Sequence, residues 1–388
     1  MLPLHMRREE FDPHPDLAGL LGREGLVKVP LPYGGPEAWL VTRYDEVRDV
    51  LRDTETFSNA EGMHIRLPEL PEVTPEELAQ MRSGAMLMMD PPEHTRLRRM
   101  LTPEFTMRRI RRLEPRITEI VDDHLDAMEV KGPPADLVTD FATPIPSLVI
   151  CELLGVPYAD REAFQARTAT LMDLSRTHEE RTVAQKEARA YMADLVARHL
   201  ATPGDDLLGM LIREHDVEVD ELIGIGGLLL IAGHETTANM LALGTLALLR
   251  NPGQLARLRD HVDGAVEELL RYLSIIHSGV VKVATRDVVL SGTPIAAGEV
   301  VMVSLPAANR DPALVADPDR LDIGRDHPAH VAFGYGAHHC LGAPLARLEL
   351  QIAFPALFAR FPGLREAGPA GFRSHHFVYG LTTLPVAW

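Results

Sequence analysis

The chain has 388 residues, of which 46% are apolar and 24% are charged, enough apolar surface to bury a sizeable core. Its formal net charge of -17 disfavours nucleic acid and anionic lipid as main partners, because both carry the same sign of charge. The two cysteines, Cys151 and Cys340, are too few for a disulfide framework and are typical of a reducing compartment.

The N-terminal sequence MLPLHMRREEFDPHPDLAG has no apolar run long enough for a signal peptide or a membrane anchor. We therefore expect a soluble, cytoplasmic protein. The long apolar segment 223–249 carries His234, Glu235 and Asn239 near its middle. One ionised carboxylate there would cost about 3 kcal/mol on insertion scales. The segment is better interpreted as a buried central helix whose polar patch faces an internal cavity.

Taken in chain order, the pattern predicts a strand at 38–43 and an amphipathic helix at 44–53. Further helices are predicted at 93–101, 115–128, 144–154, 179–200, 218–250, 255–272 and 341–361, the last despite Pro355. Between these helices, 280–290 and 295–303 have hairpin character around the turn SGTP, and 309–330 is predicted to be irregular. We expect one mainly α domain over residues 1–388, with a small β-rich region.

The sequence FGYGAHHCLG, residues 333–342, surrounds Cys340 with glycines and places two histidines directly before it. A thiolate is a soft, strongly donating metal ligand. Glycines let the backbone approach a flat cofactor, with N–H groups directed at the sulfur. The pattern is typical of a haem-thiolate loop.

Other roles for the cysteines are weighed against this one. A zinc site is disfavoured, because His338, His339 and Cys340 are too closely spaced for a tetrahedral set and no CxxC cluster exists. A catalytic cysteine needs a positioned base, which the sequence leaves open. A buried structural cysteine would not explain the glycines, although that role suits Cys151.

The same ten residues match the haem-binding signature of the cytochrome P450 monooxygenases. The matching positions are Phe333, Gly334, Gly336, His338, Cys340 and Gly342. Three further segments agree in order: AGHETT at 232–237, EELLR at 267–271 and DPDRLD at 317–322. The chain thus resembles this family over nearly its whole length, and the resemblance implies a single-domain cytochrome P450 fold that binds haem b.

The resemblance also implies the haem ligands. Cys340 is the expected metal ligand, in a loop that includes Phe333 and Gly342, while His94, Arg98 and His338 are expected to hold the propionates. The family usually has arginine where this chain has Lys282. Lysine keeps the charge but loses the bidentate geometry, so Arg286 is considered as a substitute.

By resemblance, Glu268 and Arg271 form a structural charge network that Arg320 completes. AGHETT resembles the oxygen-activating part of the central helix, with Glu235 and Thr236 as the catalytic residues that deliver protons. Adjacent residues do not share a helix face, so we expect a kinked groove near Gly233 to present both. The alternative is that Glu235 forms a structural ion pair and Thr236 bonds to its own helix.

The electrons are expected to come from another protein. No GxGxxG follows a predicted strand, which argues against a nicotinamide or flavin site. A ferredoxin and its reductase are the expected donors. An acidic ferredoxin would be attracted to the basic run 106–112 through Arg108, Arg109 and Arg112. A solvated helix end is the alternative for this run.

We expect O2 and a bulky apolar small molecule, of polyketide, macrolide, terpenoid or steroid-like type, to be hydroxylated or epoxidised by a monomeric enzyme of antibiotic biosynthesis. By resemblance, the pocket walls include Met88, Leu229, Ala232, Ile276, Val280 and Val378. The alternatives are a haem-thiolate peroxygenase or dehydratase, or a non-catalytic haem-binding protein.

Overall fold

The computed structural model describes residues 2–65, 74–326 and 329–388. Helices form most of the ordered structure, as predicted. The α-helices of the described residues are α1 (Pro15–Ala18), α2 (Tyr44–Arg52), α3 (Pro75–Arg82), α4 (Glu93–Leu101), α5 (Met107–Ile110), α6 (Glu114–Lys131), α7 (Pro144–Leu154), α8 (Arg161–Met172), α9 (His178–Ala201), α10 (Leu207–Glu214), α11 (Val219–Leu249), α12 (Pro252–Leu255), α13 (Val262–Leu273), α14 (Leu305–Asn309) and α15 (Ala343–Arg360).

The strands are short. They are β1 (Arg8–Glu9), β2 (Asp12–Pro13), β3 (Val27–Pro30), β4 (Glu37–Val41), β5 (Phe57–Ser58), β6 (Ala135–Asp136), β7 (Val280–Ala284), β8 (Val288–Leu290), β9 (Thr293–Ile295), β10 (Val300–Val303), β11 (Arg365–Glu366), β12 (Gly371–Arg373), β13 (Gly380–Thr383) and β14 (Pro385–Ala387). The largest sheet has the order β3-β4-β10-β7-β5, in which β10 is parallel to β4 and antiparallel to β7.

Helix α11 is the centre of the fold. It packs against α7, α9, α13 and α15, and its side chains are buried on nearly all sides, as expected for a helix that is apolar around its circumference. Asp220 and Glu221 occupy its first turn, where negative charge is favoured by the helix dipole. The predicted buried central helix is confirmed. Among the described residues, no helix combines the length and apolar character needed to cross a bilayer.

The predicted helix 255–272 is not continuous. The structure has α12, then a 3-10 turn at Leu258–Asp260, and α13 begins only at Val262. His261 lies between them with φ -137° and ψ 40°, outside the helical region. The apolar periodicity continues across this break, which is why the sequence pattern does not reveal it.

The predicted hairpin character of 280–303 is confirmed, with an interruption. Strand β7 pairs with β10, and a second hairpin, β8 with β9, lies between them. Ser291 and Gly292 connect β8 to β9 with φ values of 51° and 72°, the sign that tight hairpin turns require. Helix α15 continues through Pro355 as predicted. The described residues of 310–330 contain no helix or strand of their own.

Candidate functional site

The Cys340 loop is closed by its own backbone. The Cys340 N–H donates to the Phe333 carbonyl at 2.8 Å, and the Ala343 N–H, where α15 begins, donates to the Cys340 carbonyl at 3.4 Å. Burial raises the pKa of the Cys340 thiol, while the backbone N–H groups of Gly342 and Ala343 and the charge of Arg98 oppose that shift. Cys340 nevertheless has accessible surface, as does Ala232 in the middle of the otherwise buried α11, and from this we infer an interior cleft between them.

Gly336 fixes where this loop lies. Its φ is 72°, and a Cβ atom there would come within 2.9 Å of the Arg52 Cα atom at the end of α2. Only glycine satisfies both the conformation and the close approach. The loop is therefore packed directly against the α2 backbone.

Three basic side chains from separate elements form a buried cluster beside the loop. The rings of His94 on α4 and His338 in the loop have centroids 4.1 Å apart, and Lys282 on β7 is fully buried near both. Burial, and then the charges of His94 and Lys282, lowers the pKa of His338 to about 3. Burial lowers the pKa of Lys282 to about 8.

The polar atoms of this cluster have no protein partner. Both ring nitrogens of His94 and His338, and the Nζ atom of Lys282, are buried without a hydrogen bond to any described residue. Arg98, half-buried near Cys340, takes part in no ion pair among the described residues. Unsatisfied buried donors are costly, so their convergence indicates a site for an anionic ligand.

Arg286 does not substitute for Lys282. Its guanidinium is exposed and donates to the Thr56 hydroxyl at 3.1 and 2.7 Å, whereas Lys282 contributes its charge to the histidine pair. Lys282 lies within β7 and is buried, whereas Arg286 lies two residues beyond the end of that strand.

One stripe of α11 faces the interior cleft. Ala232 is exposed in the middle of an otherwise buried helix, and Leu228 and Thr236, one turn away on each side, are partly accessible. The Thr236 hydroxyl donates to the Ala232 carbonyl at 2.8 Å, which leaves its oxygen free to accept a hydrogen bond. Thr236 thus lies where a cleft-bound group could contact it.

Glu235 points to a different side of α11. Its Oε1 atom lies 2.5 Å from the Nη1 atom of Arg373 and 3.8 Å from the Nε2 atom of His376. Helix α11 is continuous from Val219 to Leu249 and places these two adjacent side chains in different surroundings, so the expected groove that presents both to the cleft stays a prediction. Gly233 allows the Ile150 side chain of α7 to pack closely against the helix, because a Cβ atom at residue 233 would lie only 2.7 Å from the Ile150 Cδ1 atom.

The buried network around Glu268 differs from the expectation in one member. Glu268 and Arg271 form a bidentate pair at 2.8 and 2.9 Å, and both are buried. Arg325 approaches Glu268 at 3.4 Å. The predicted Arg320 is wrong, because its side chain is 65% exposed and only its backbone carbonyl accepts from Arg271.

The family model described as Cytochrome P450 matches residues 33–222 and 261–364. The chain belongs to the cytochrome P450 family. Cytochrome P450 FAS1 of Rhodococcoides fascians is 48% identical over 394 residues, which cover 100% of this chain and 98% of that protein. Pentalenic acid synthase of Streptomyces avermitilis is 46% identical over 379 residues, covering 94% and 92% of the two chains. The crystal structure of CYP105P1 in complex with filipin I has a TM-score of 0.92 and 43% identity, and the match covers 98% of this chain and 97% of that one.

These likenesses confirm the mainly α cytochrome P450 fold and a P450 monooxygenase that uses a haem-thiolate cofactor. The residues of this P450 fit such a cofactor. Cys340 would supply a thiolate ligand, and His94, His338 and Lys282 have unpartnered nitrogens that carboxylates would satisfy. Among the described residues, no group of three or more His, Cys, Asp or Glu side chains is arranged to hold a metal ion.

The predicted pocket residues of the P450 lie in several environments. Ala232 borders the cleft, Ile276 and Val280 are partly buried, Met88 is exposed, and Leu229 and Val378 are buried. Leu228, which shares a helix face with Ala232, was missed, because the apolar segment has no polar side to fix its orientation.

Glu267, which precedes Glu268 in the segment EELLR, was not predicted to have a role. Glu267 accepts two hydrogen bonds from Arg347, at 2.6 and 2.9 Å, and pairs with His330 at 3.0 Å. Although burial raises the pKa of Glu267, these hydrogen bonds lower it to about 2. The Arg347 guanidinium also lies over the Phe333 ring, 4.6 Å from its centroid. Glu267 therefore braces the Cys340 loop of this P450.

Proposed function

We propose that this P450 binds haem b and hydroxylates or epoxidises a bulky apolar small molecule with O2 and electrons from a ferredoxin. The convergence of unsatisfied donors on one side of the Cys340 loop carries the proposal. Two propionates would supply the acceptors that His94, His338, Lys282 and Arg98 lack, and Cys340 would supply a thiolate ligand to the iron. Phe333 and Gly342 would shape the loop.

The haem, when bound, supplies the activation of dioxygen. The protein then has two tasks, to hold the substrate and to deliver protons. Thr236 is the candidate for the second, because it lies on the cleft stripe and its oxygen can accept a hydrogen bond. Glu235 is the candidate source of protons behind it, one residue away in the chain. The ion pair of Glu235 and the backbone bond of Thr236 are the contacts expected if both are structural, so mutation must decide.

The substrate class is proposed from the cleft and from the relatives. The stripe that faces the cleft is apolar apart from Thr236, and Met88, Ile276, Val280 and Val378 are proposed as further walls, with Leu229 behind Ala232. One relative is named pentalenic acid synthase, and a solved relative was crystallised with filipin I. A polyketide, macrolide, terpenoid or steroid-like molecule of an antibiotic-type pathway fits this setting. A monomeric, cytoplasmic enzyme is proposed with it.

The ferredoxin is proposed to dock on the face beyond the Cys340 loop. Helix α5, which carries Arg108 and Arg109, packs against α15, the helix that begins three residues after Cys340. Arg108 and Arg112 are exposed, while Arg109 pairs with Glu104 at 2.8 Å. In an acidic chain, exposed cations on this face would attract an acidic protein.

The deciding experiment is the optical spectrum of the purified protein, reduced and exposed to carbon monoxide. The wild type should show the red-shifted Soret band of thiolate ligation, and Cys340→His should keep haem but lose that band. Cys151→Ala is the matched control and should leave the spectrum unchanged. A colourless protein, or an unchanged band in Cys340→Ala, would refute the haem-thiolate assignment.

Proton delivery is tested separately. Thr236→Ala should still bind substrate but release more hydrogen peroxide per electron consumed, and Glu235→Gln should slow the whole cycle by about 100-fold or more if general acid catalysis is lost. Turnover that needs no reductase and is unaffected by Thr236→Ala would favour a peroxygenase or dehydratase. Haem binding without any turnover would favour a non-catalytic role.

A further inference from the structure

Glu235 is tied to a part of the chain that is distant in sequence. Arg373, the last residue of β12, places its Nη1 atom 2.5 Å from the Glu235 Oε1 atom and donates from Nη2 to the Leu381 carbonyl at 3.2 Å. The Glu235 side chain is only 10% exposed. This contact is therefore a nearly buried ion pair between α11 and the C-terminal hairpin of β12 and β13.

The hairpin is held on α11 at a second point. Gly380 of β13 has no room for a side chain, because a Cβ atom would lie 1.5 Å from the Oδ1 atom of Asn239. Asn239 in turn donates to the Glu235 carbonyl at 2.7 Å and approaches its Oε1 atom at 3.3 Å. The distance between Arg373 and Glu235 is thus fixed by close backbone packing.

A third contact anchors the loop that follows β12. The Phe377 N–H donates to the Met172 carbonyl, and the Leu174 N–H donates to the His375 carbonyl, both at 3.0 Å. These two bonds join the loop to the end of α8. They fix His376, whose Nε2 atom lies 3.8 Å from the Glu235 Oε1 atom.

The charged and titratable groups around Glu235 are Arg373, His376, His234 and, beyond His376, Asp173. Burial lowers the pKa of His234, opposed by Glu235. Burial also lowers the pKa of His376. The negative charge of Glu235 raises this pKa, and the positive charge of Arg373 lowers it by a smaller amount. Both imidazoles are therefore mainly neutral at pH 7. Arg373, which stays protonated in proteins, is the permanent counter-charge of Glu235.

We propose that Arg373 is a positioning residue for proton delivery, which keeps Glu235 ionised and fixed beside Thr236 on α11. The inference rests on the proposed role of Glu235. A buried carboxylate that loses its guanidinium partner takes up a proton rather than remain as an uncompensated charge. Without Arg373, Glu235 would stay neutral and could not cycle between its two protonation states.

The first test does not depend on turnover. Burial raises the pKa of Glu349 well above its usual range, so its protonated carboxyl contributes to the infrared spectrum of wild type and of every variant. Difference spectra of the purified holoenzyme at pH 7, variant minus wild type, should show an added protonated carboxyl band in Arg373→Gln. The added band should be absent from Arg373→Lys and from the double variant Arg373→Gln/Glu235→Gln, which lacks the Glu235 carboxyl. Arg189→Gln removes another ion pair to α11, with Asp220 at 2.5 Å, and as the matched control should show no added band.

The second test measures turnover against pH. Arg373→Gln should lower turnover about tenfold at pH 7, with recovery as pH rises and Glu235 ionises. Arg373→Lys should restore most of the rate. In the Glu235→Gln background, Arg373→Gln should have no further effect, because the arginine acts through the carboxylate.

The outcomes distinguish a failure of the role of Arg373 from a failure of the proposed role of Glu235 in proton delivery. An Arg373→Gln enzyme with no added carboxyl band and a wild-type pH profile would overturn the role of Arg373. Normal turnover in Glu235→Gln would instead overturn the proposed function of Glu235, whatever the infrared result. If Arg373→Gln fails to fold, Arg373→Lys decides, because the proposal requires this variant to show no added carboxyl band and a rate close to that of wild type. An added band or a loss of rate in Arg373→Lys would overturn the role of Arg373.

Discussion

The Glu268–Arg271 network and the His94–His338–Lys282 cluster are both buried, but they differ in how their polar atoms are paired. Arg271 donates to both oxygens of Glu268 and to the carbonyls of Asn309 and Pro318. The cluster, in contrast, has five buried nitrogens without a partner among the described residues. Both sets carry charge in a poorly solvated setting, yet only the first is internally complete.

This difference separates a scaffold from a binding site. A buried ion pair whose donors are all satisfied holds elements together and has no capacity left for a ligand. Buried donors without partners cost stability until an acceptor arrives. The unpartnered donors beside the Cys340 loop therefore destabilise the ligand-free protein, and a bound anion would remove this destabilisation. The following variants test the contrast between the paired network and the unpaired cluster.

The largest expected effect is in the complete network. Arg271→Met should lower the free energy of unfolding by about 3–5 kcal/mol, because Glu268 would remain buried without its partner. Arg320→Met should be nearly silent, since its side chain is 65% exposed and lies 3.9 Å from its partner Asp322. Urea denaturation measures the free energy of unfolding of both variants. Equal decreases would contradict the conclusion that Arg325, and not Arg320, is the third member of the Glu268 network.

A somewhat smaller effect is expected at Glu267, and it depends on pH. The pKa of this carboxyl is lowered from 4.5 to about 2 in the folded state, so its stabilisation is complete above about pH 4.5 and is lost as pH falls towards 2. Glu267→Gln should cost about 3 kcal/mol at pH 7. The difference between wild type and variant should shrink in denaturation curves recorded at pH 3. A pH-independent difference would show that packing, not charge, explains the loss.

Changes in the His94–His338–Lys282 cluster should alter how tightly haem is held. Lys282→Met should speed haem loss about tenfold, because one ionic hydrogen bond to a propionate disappears. Lys282→Arg should keep haem, since charge is retained. Transfer of haem to excess apomyoglobin gives the rate. Arg286→Met is the matched control, because it removes a nearby but exposed cation. If haem loss from Arg286→Met were as fast as from Lys282→Met, the proposed contact between Lys282 and a propionate would be wrong.

The smallest effect is expected on the exposed surface, where water already satisfies the cations. Reversal of Arg108, Arg109 and Arg112 to Glu should slow reduction by an acidic ferredoxin at low salt without a change in substrate affinity. The loss should fade as salt rises, because charges beyond roughly 10 Å are screened at 0.1 M. Stopped-flow measurement checks this, with Arg23, Arg213 and Arg365 reversed as the matched control. Equal rates for both triple variants would leave the basic run a solvated helix end.

Local patterns in the sequence predicted most of the fold and the local parts of the site. The Cys340 loop and the central helix were found because glycine spacing and apolar runs are properties of neighbouring residues. Helix α11 also shows the limit, because it is apolar on all sides and its sequence could not distinguish Leu228 from Leu229 as the residue that faces the cleft.

Contacts between distant segments could not be predicted in the same way. Arg373 lies 138 positions from Glu235, and no local pattern connects them. Arg320 and Arg325 are both arginines in an irregular segment, where no helical or strand period indicates which side chain is buried. The short C-terminal strands likewise depend on pairing with β6 and with one another, not on their own two to four residues.

The backbone N–H groups of Gly342 and Ala343 lower the pKa of the Cys340 thiol, against the effect of burial. Hydrogen bonds to a ligating sulfur withdraw electron density from it and so help to set the reduction potential of the metal. Pro344 has no N–H to offer, so the donors are the two residues before it. Because no side chain takes part, substitutions that reshape the pocket for a new substrate would leave these donors in place. If Cys340 ligates the proposed haem iron, the first turn of α15 would tune that metal independently of the residues that select the substrate.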